Sequence, residues 1–326
     1  MKGLEIARSF WEEHGRPMME ERFPELMDLI AVGLVGAGSE CFGYDDDISR
    51  DHDFEHGFCI YLPDEERVSR RQEFLLGRAY ESLPKEYMGL RRSLFNPAGS
   101  NRRGVFRTAE IYRNLTGIAE KPGDWRAYLS VPDCAMAEAS NGEVFYDGPG
   151  EFSAIREAWR NPTEDVQRKK LCGYLIRMSQ TGEYNYSRCL KRGDEATAML
   201  AAAEFVKAAA AAFGWAYNRP TPYYKWCIRF VQGFPKGDIY AGFLRDALRL
   251  RGGNREEREA SENALSAPDN QYFIDETRVL LLSVLHRQGF VPEGTEDLQK
   301  AAFLINDGIR DGVLRSLSPL AAVRLE

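Results

Sequence analysis

Two aspartates separated by one residue, Asp51 and Asp53, are the side chains of this 326-residue sequence best placed for chemistry. The segment that follows them alternates in hydrophobicity as far as Leu62, and a period of two predicts a half-buried strand. Residues i and i+2 of a strand point to the same face, with Cα atoms about 6–7 Å apart. Two carboxylates so close repel each other, but they suit a hard cation such as Mg²⁺. We therefore predict that Asp51 and Asp53 bind metal.

A turn suited to phosphate precedes the two aspartates. The apolar run 34–37 predicts the end of a short buried strand, and it leads into Gly38 and Ser39. Such a turn offers backbone N–H groups and a hydroxyl, which suit phosphate oxygens. We therefore predict that Gly38 and Ser39 bind phosphate.

These features together carry a resemblance to a known family. An apolar strand that ends in Gly38 and Ser39, followed after about a dozen residues by Asp-x-Asp on a second strand, resembles the signature of the DNA polymerase β-like nucleotidyltransferase superfamily. The fuller string, Gly-Ser-x-x-x-Gly-x-Asp-x-x-x-Ser-x-Asp-His-Asp, runs from Gly38 to Asp53. More particularly, it is similar to that of a family of bacterial proteins of undefined function with a nucleotidyltransferase-like head and a helical tail. The segment 218–226, Asn-Arg-Pro-Thr-Pro-Tyr-Tyr-Lys-Trp, resembles the second hallmark of that family.

The resemblance implies a function. It implies a Mg²⁺-dependent transfer of a nucleoside monophosphate from a nucleoside triphosphate to a hydroxyl acceptor, with release of pyrophosphate. Asp45 and Ser49 match the string, so we expect them to support the nucleotide site. Lys225 in the second hallmark suits a phosphate, and the neighbouring Tyr223 and Trp226 suit stacking on a base or a flat acceptor.

The sequence departs from the superfamily pattern at the third carboxylate. Such enzymes usually carry it on a later strand, where it completes the metal site or activates the acceptor hydroxyl. The segment 104–112 is a plausible strand, and Glu110 near its end is our candidate, with Glu138 and Glu143 as alternatives. If no third carboxylate reaches the site, the chain would be a nucleotide-binding regulatory or interaction module without turnover. A purely structural partner protein is a third hypothesis.

Other motifs are weaker. The acidic segment 45–49 begins like a calcium-binding EF loop, but Arg50 and His56 occupy the positions that require glycine and glutamate. A histidine–aspartate phosphohydrolase site at His52 and Asp53 would need further histidines, and the sequence has only four in all. The segment 85–103 is basic and contains Arg91, Arg92, Arg102 and Arg103. It is either a solvated loop or a set of side chains that bind a triphosphate.

The elements that position these residues indicate an α+β fold. Helical spacing predicts helices over 4–13, 16–30 and 64–83, and a further strand is predicted over 143–147. Beyond the linker 148–150 almost every segment has helical periodicity, up to about residue 314. We therefore predict a small mixed-sheet nucleotidyltransferase-like head over 1–150. An all-α helical bundle over 151–326 would bind the substrate or act as a lid.

The composition of the chain indicates which classes of binding partner to expect. The sequence is 44% hydrophobic and 29% charged, with a net charge of −7, which is typical of a soluble protein and disfavours broad binding of DNA or long RNA. We see no apolar run of the ~20 residues that span a bilayer. The six cysteines form no CxxC pair, as expected for free thiols in a reducing cytoplasm. A small-molecule acceptor is the expected partner, and a protein or RNA acceptor stays open.

Overall fold

The computed structural model describes residues 1–49, 54–92, 102–249 and 269–323. The chain divides into two compact units. Unit one comprises Met1–Ala127 and Ala135–Asn161, and unit two comprises Tyr128–Cys134 and Pro162–Glu326. The division therefore falls after residue 161, whereas the sequence places it at 150, and the short segment 128–134 joins the helical unit.

The chain up to residue 161 alternates helices and short strands, and the class is α+β, as predicted. In chain order these elements are α1 (Gly3–Phe10), α2 (Arg16–Arg22), β1 (Ala31–Leu34), β2 (Cys59–Leu62), α3 (Arg70–Glu81), β3 (Glu86–Tyr87), β4 (Leu90–Arg91), β5 (Gly104–Arg107), α4 (Thr108–Thr116), α5 (Trp125–Ser130), α6 (Asp133–Ser140), β6 (Glu143–Asp147) and α7 (Glu151–Arg160). A π-helical turn, Trp11–Gly15, joins α1 to α2.

Four strands of unit one form a mixed sheet in the order β5-β2-β1-β6. β1 is antiparallel to both β2 and β6, and β2 is parallel to β5. The register pairs Gly33 with Cys59, Cys59 with Gly104, and Leu34 with Glu143. The carboxyl end of β1 and the amino ends of β2, β5 and β6 therefore meet at one end of the sheet, which we call the site end.

Helices cover both faces of this sheet. Ile60 and Leu62 of β2 pack on one face in a core that includes Phe10 and Trp11. On the other face Tyr61 stacks on Phe152 of α7, with ring centroids 4.0 Å apart. All four residues of β2 are consequently buried, so the prediction of a half-buried strand is wrong, and the strand begins at residue 59.

Other predicted bounds also change. The helix predicted over 16–30 ends at residue 22, and a 3₁₀ helix over Pro24–Leu29 follows it. The helix predicted over 64–83 is α3, which begins at residue 70 because Ser69 and Gln72 form a capping box at its amino end. The strand predicted over 104–112 ends at residue 107, where the chain turns directly into α4.

Unit two is helical, as predicted. After the segment 128–134 its helices are α8 (Glu164–Met178), which continues as a π-helical segment (Ser179–Tyr186), α9 (Ser187–Lys191), α10 (Glu195–Ala216), α11 (Cys227–Val231), α12 (Gly237–Asp246), α13 (Asn270–Arg287), α14 (Leu298–Asp307) and α15 (Gly312–Ser316). Asp194 caps α10 by accepting a hydrogen bond from the backbone N–H of Thr197.

By length and composition alone, the alanine-rich helix α10 could cross a bilayer. Its apolar residues do not form one continuous run, because Glu204 and Lys207 interrupt them. More than half of its apolar window is buried inside the protein. The buried residues include the run Ala208–Ala212 together with Phe205 and Trp215. In unit two this helix therefore packs as a core helix.

None of the six cysteines forms a disulfide, and five of them are buried. Cys134 is partly exposed.

The Tyr61–Phe152 stack should be a main contribution to the stability of unit one. Phe152→Ala removes a ring that is 2% exposed, and truncating a buried Phe costs about 3–5 kcal/mol of unfolding free energy. The matched control Phe74→Ala removes a ring that is 67% exposed and should change stability by less than about 0.5 kcal/mol. Urea denaturation followed by tryptophan fluorescence measures both. Equal losses would contradict the assignment of α7 to the core of unit one.

Candidate functional site

The turn after β1 is pinned to the segment that precedes β6. The Asn141 side-chain amide accepts a hydrogen bond from Gly36 N (2.8 Å) and donates one to Gly36 O (2.7 Å). Gly36 has a φ of 101° and Gly38 a φ of 130°, both of which L-residues with side chains avoid. The predicted phosphate-binding turn is thus a fixed backbone structure at the site end of the sheet.

A buried ion pair underlies this turn. Arg103 Nη2 lies 3.3 Å from Glu40 Oε1, and both side chains are 6% exposed. A Cβ at Gly38 would lie 2.6 Å from Glu40 Oε2, and a Cβ at Gly57 would lie 2.8 Å from Arg103 Cδ. Both glycines are therefore required by the space that this carboxylate and this guanidinium occupy.

A pocket of about 130 Å³ opens beside the turn. Its walls are mainly apolar side chains of β1, β2, β5 and α4, and Arg102 and Asn114 add polar groups. The same turn contributes Gly36, Ala37 and Glu40 to the lining. Gly38 and Ser39 lie between these last two residues, and Ser39 begins a short 3₁₀ turn over Glu40–Phe42.

The structure gives Asp45 and Ser49 local structural roles. Buried Asp45 accepts a hydrogen bond from Gly3 N (3.0 Å) and pairs with Lys2 (3.5 Å), so it fixes the start of α1. The Ser49 hydroxyl donates to Asp46 Oδ1 (3.0 Å) within an exposed turn. Neither lines the pocket beside the Gly38 turn. Asp51 and Asp53, the predicted metal ligands, lie outside the described residues.

Glu110 lies away from the pocket, contrary to expectation. The residue is exposed in the first turn of α4, and its charge acts on Arg70. Glu110 is absent from the pocket lining, to which α4 contributes Ile111, Asn114 and Leu115. Because the chain becomes helical at residue 108 rather than continuing as a strand, Glu110 points elsewhere.

The alternative carboxylates differ in environment. Glu143 forms an ion pair with Arg8. Glu138 is half-buried on α6, three residues before Asn141, which pins the turn. Burial raises the pKa of Glu138, and the charge of Arg102, which lines the pocket, opposes that rise. Glu138 does not line the pocket, but its charge interacts with that of Arg102, which does.

The four predicted clamp arginines have different roles. Arg92 is buried and donates to the carbonyl oxygens of Tyr80, Glu81 and Leu83 at the carboxyl end of α3. Exposed Arg91 lies 4.0 Å from the carboxylate of Glu86, and Arg103 is committed to Glu40. Arg102 alone of the four lines the pocket.

Unit two contains a second pocket, of about 60 Å³, with Asp133 in its wall. The Asp133 carboxylate accepts hydrogen bonds from Lys170 Nζ (2.8 Å), the Tyr174 hydroxyl (2.8 Å) and Trp215 Nε1 (2.6 Å). The Lys170 side chain is fully buried. Sequence reasoning missed this network, since its members come from three separate segments with no motif spacing.

The second hallmark segment, 218–226, contributes to this pocket, but the predicted contacts Tyr223, Lys225 and Trp226 do not line it. Thr221, Pro222, Tyr224 and Cys227 line it. Lys225 is exposed, with Nζ 5.2 Å from the centroid of the Trp226 ring, and does not line the pocket.

The two sites belong to an α+β protein with a small mixed sheet in one unit and helices in the other. The model of a domain family of unknown function, DUF4037, matches residues 128–227, a segment that contains the whole Asp133 network. The chain is also similar to the crystal structure of a nucleotidyltransferase-like protein from Exiguobacterium sibiricum 255-15. That likeness has a TM-score of 0.36 and 11% identity, over 85% of this chain and 78% of the other. No curated protein matches the chain.

The Gly38 turn should tolerate no side chain. Gly38→Ala places a Cβ against the Glu40 carboxylate in a backbone region that is essentially confined to glycine, and should cost about 3 kcal/mol or more. Gly43→Ala is the control, because Gly43 has a φ of 69° and no atom within 4 Å of a built Cβ, so about 1–2 kcal/mol is expected. Chemical denaturation compares the two. A smaller loss for Gly38→Ala would contradict the packing of Glu40 under the turn.

The Asp133 network gives a matched pair of lysine variants. Lys170→Met leaves a buried carboxylate without its cation and should cost about 3–5 kcal/mol. Lys225→Met removes an exposed lysine and should change stability by less than about 0.5 kcal/mol. Thermal and urea unfolding measure both. Wild-type stability of Lys170→Met would show that Asp133 does not depend on this cation.

Proposed function

We propose that this chain is a Mg²⁺-dependent nucleotidyltransferase, which moves a nucleoside monophosphate from a nucleoside triphosphate to a hydroxyl acceptor and releases pyrophosphate. The supporting observation is the sheet register. It brings the turn after β1 and the start of β2 to one end of the sheet, beside a pocket. In the sequence Asp51 and Asp53 stand directly before the segment that enters β2.

In this reaction, phosphate binding and proton transfer are assigned to particular residues of the chain. Backbone N–H groups of the Gly38-Ser39 turn and the Ser39 hydroxyl hold phosphate oxygens. Arg102, exposed at the pocket, adds positive charge for the triphosphate. The acceptor hydroxyl oxygen bonds to the α-phosphorus, the bond from that phosphorus to the bridging oxygen breaks, and pyrophosphate leaves. The hydroxyl proton passes to a carboxylate, for which Glu138 replaces Glu110 as our candidate.

Whether unit one can bind Mg²⁺ depends on which of its side chains can act as metal ligands. Among the residues that the structure describes, no group of three His, Cys, Asp or Glu side chains could hold a metal ion. A magnesium site in unit one therefore depends on Asp51 and Asp53, whose oxygens are ligands that Mg²⁺ prefers. Bound Mg²⁺ would neutralise phosphate charge and orient the triphosphate for in-line attack.

The position of Glu110 favours a second candidate function. Because this carboxylate does not line the pocket and Glu40 is already paired with Arg103, the unit could bind a nucleotide without transferring it. The chain would then act as a nucleotide-binding regulatory or interaction module. Pyrophosphate release separates the two candidates, since only the transferase breaks the bond to the α-phosphorus.

Calorimetric titration of each nucleoside triphosphate, with Mg²⁺ and with EDTA, tests the proposal. We expect Mg²⁺-dependent binding that Asp53→Ala weakens by about tenfold or more, roughly 1.4 kcal/mol. Asp47→Ala is the control, because Asp47 is an exposed acid at a position where the resemblance string allows any residue. Pyrophosphate release is measured in parallel, with hydroxyl compounds as acceptors. Equal binding by wild type and Asp53→Ala, or no binding at millimolar nucleotide, would overturn the proposal.

A further inference from the structure

We propose that the pocket of unit two is a binding site for a small organic anion, with its carboxylate or phosphate held by Arg177 and Lys207 and a neighbouring polar atom bonded to Thr221. All the residues that carry this inference belong to unit two. It therefore stands independently of nucleotidyl transfer in unit one.

The charge balance of the pocket favours an anion. Arg177 Nη2 lies 2.8 Å from Glu204 Oε2, and Lys207 Nζ lies 3.5 Å from Glu204 Oε1, so two cations share one carboxylate. The other carboxylate of the lining, Asp133, is already paired with Lys170. One positive charge of this cluster is left without a counter-charge.

The two cations are also accessible. The Arg177 side chain is 29% exposed and that of Lys207 is 39% exposed, so both can rearrange towards a ligand. The hydrogen bond from Arg177 lowers the pKa of Glu204, so the carboxylate stays ionised beside both cations. Arg177 Nε is buried and has no hydrogen-bond partner among the described residues, which leaves a further donor beside the pocket.

A second, independent observation is the hydroxyl of Thr221. Thr221 lines the pocket, is 6% exposed, and its Oγ1 has no hydrogen-bond partner in the described part of the chain. A buried hydroxyl without a partner destabilises the free protein, and such groups are rare unless a ligand or another function uses them. A ligand oxygen in the pocket would satisfy it.

The apolar part of the pocket lining indicates the chemistry of the rest of the ligand. Ala208, Ala211, Pro222 and the ring of Tyr224 supply apolar surface close to these polar groups. Pockets that orient a small ligand combine such walls with a few convergent polar groups. The chemistry therefore fits a compact organic body with one anionic group and at least one hydroxyl or carbonyl oxygen.

A panel of hexoses that differ in charge tests the sign of the ligand. The full-length protein is titrated by calorimetry with glucose 6-phosphate, glucuronate, neutral glucose and cationic glucosamine, and with inorganic phosphate and citrate as simple anions. We expect an anion to bind and glucose and glucosamine not to bind. The first two compounds distinguish phosphate from carboxylate. Preference for glucosamine, or no binding of any anion at millimolar concentration, would overturn the proposal.

Three variants test the site with the anion that binds best. Lys207→Gln should weaken binding by about tenfold, whereas Glu204→Gln should strengthen it, because it frees both cations. Lys225→Gln is the control and should bind as wild type does, since Lys225 lies outside the pocket lining. Weaker binding by Glu204→Gln together with unchanged binding by Lys207→Gln would contradict the assigned charges.

Thr221→Val separates a ligand site from a packing defect. The substitution keeps the shape and removes the unpaired hydroxyl, so the free protein should melt at a higher temperature while its affinity for the anion falls about fivefold or more. A variant that binds the anion as tightly as wild type would overturn the role of Thr221 and with it the proposed site.

Discussion

The buried ion pair between Glu40 and Arg103 is the interaction on which the site end of the sheet depends. It joins the turn after β1 to the residue that precedes β5, and it occupies the space that side chains at positions 38 and 57 would need. Removing one partner of such a pair leaves an uncompensated buried charge, which costs more than the pair contributes. The turn is therefore held rigid before any ligand arrives, and a phosphate would meet N–H groups already in position.

Unit two also contains a buried ion pair, formed by Asp133 and Lys170. Asp133 begins α6, and a lysine, a tyrosine and a tryptophan from α8 and α10 surround its carboxylate. In each unit, a buried carboxylate paired with a cation forms part of a pocket wall. Buried ion pairs of this kind favour one arrangement of the elements, because separating the partners leaves a buried charge unpaired. The pocket surfaces that remain exposed can then carry the groups that contact ligands, such as Arg102 in unit one and Lys207 in unit two.

The sequence predicted the α+β class and the β6 strand, because these follow from local periodicity. It did not predict that β2 is buried on both faces, since the cover comes from α7, far along the chain. Glu110 was misplaced because the alternation over 104–112 is weak and the change to helix at Thr108 has no clear signal. The Glu40–Arg103 pair and the Asn141 bonds link residues 63 and 105 positions apart, beyond any local pattern. Metal binding by Asp51 and Asp53 stays a prediction.

The most direct measurement is a crystal structure of the protein with a non-hydrolysable nucleoside triphosphate and Mn²⁺, which substitutes for Mg²⁺ and is located by its anomalous scattering. The account predicts phosphate oxygens against the backbone of Gly38 and Ser39, with the metal bound by Asp51 and Asp53. Phosphates bound elsewhere, or metal held without either aspartate, would contradict it.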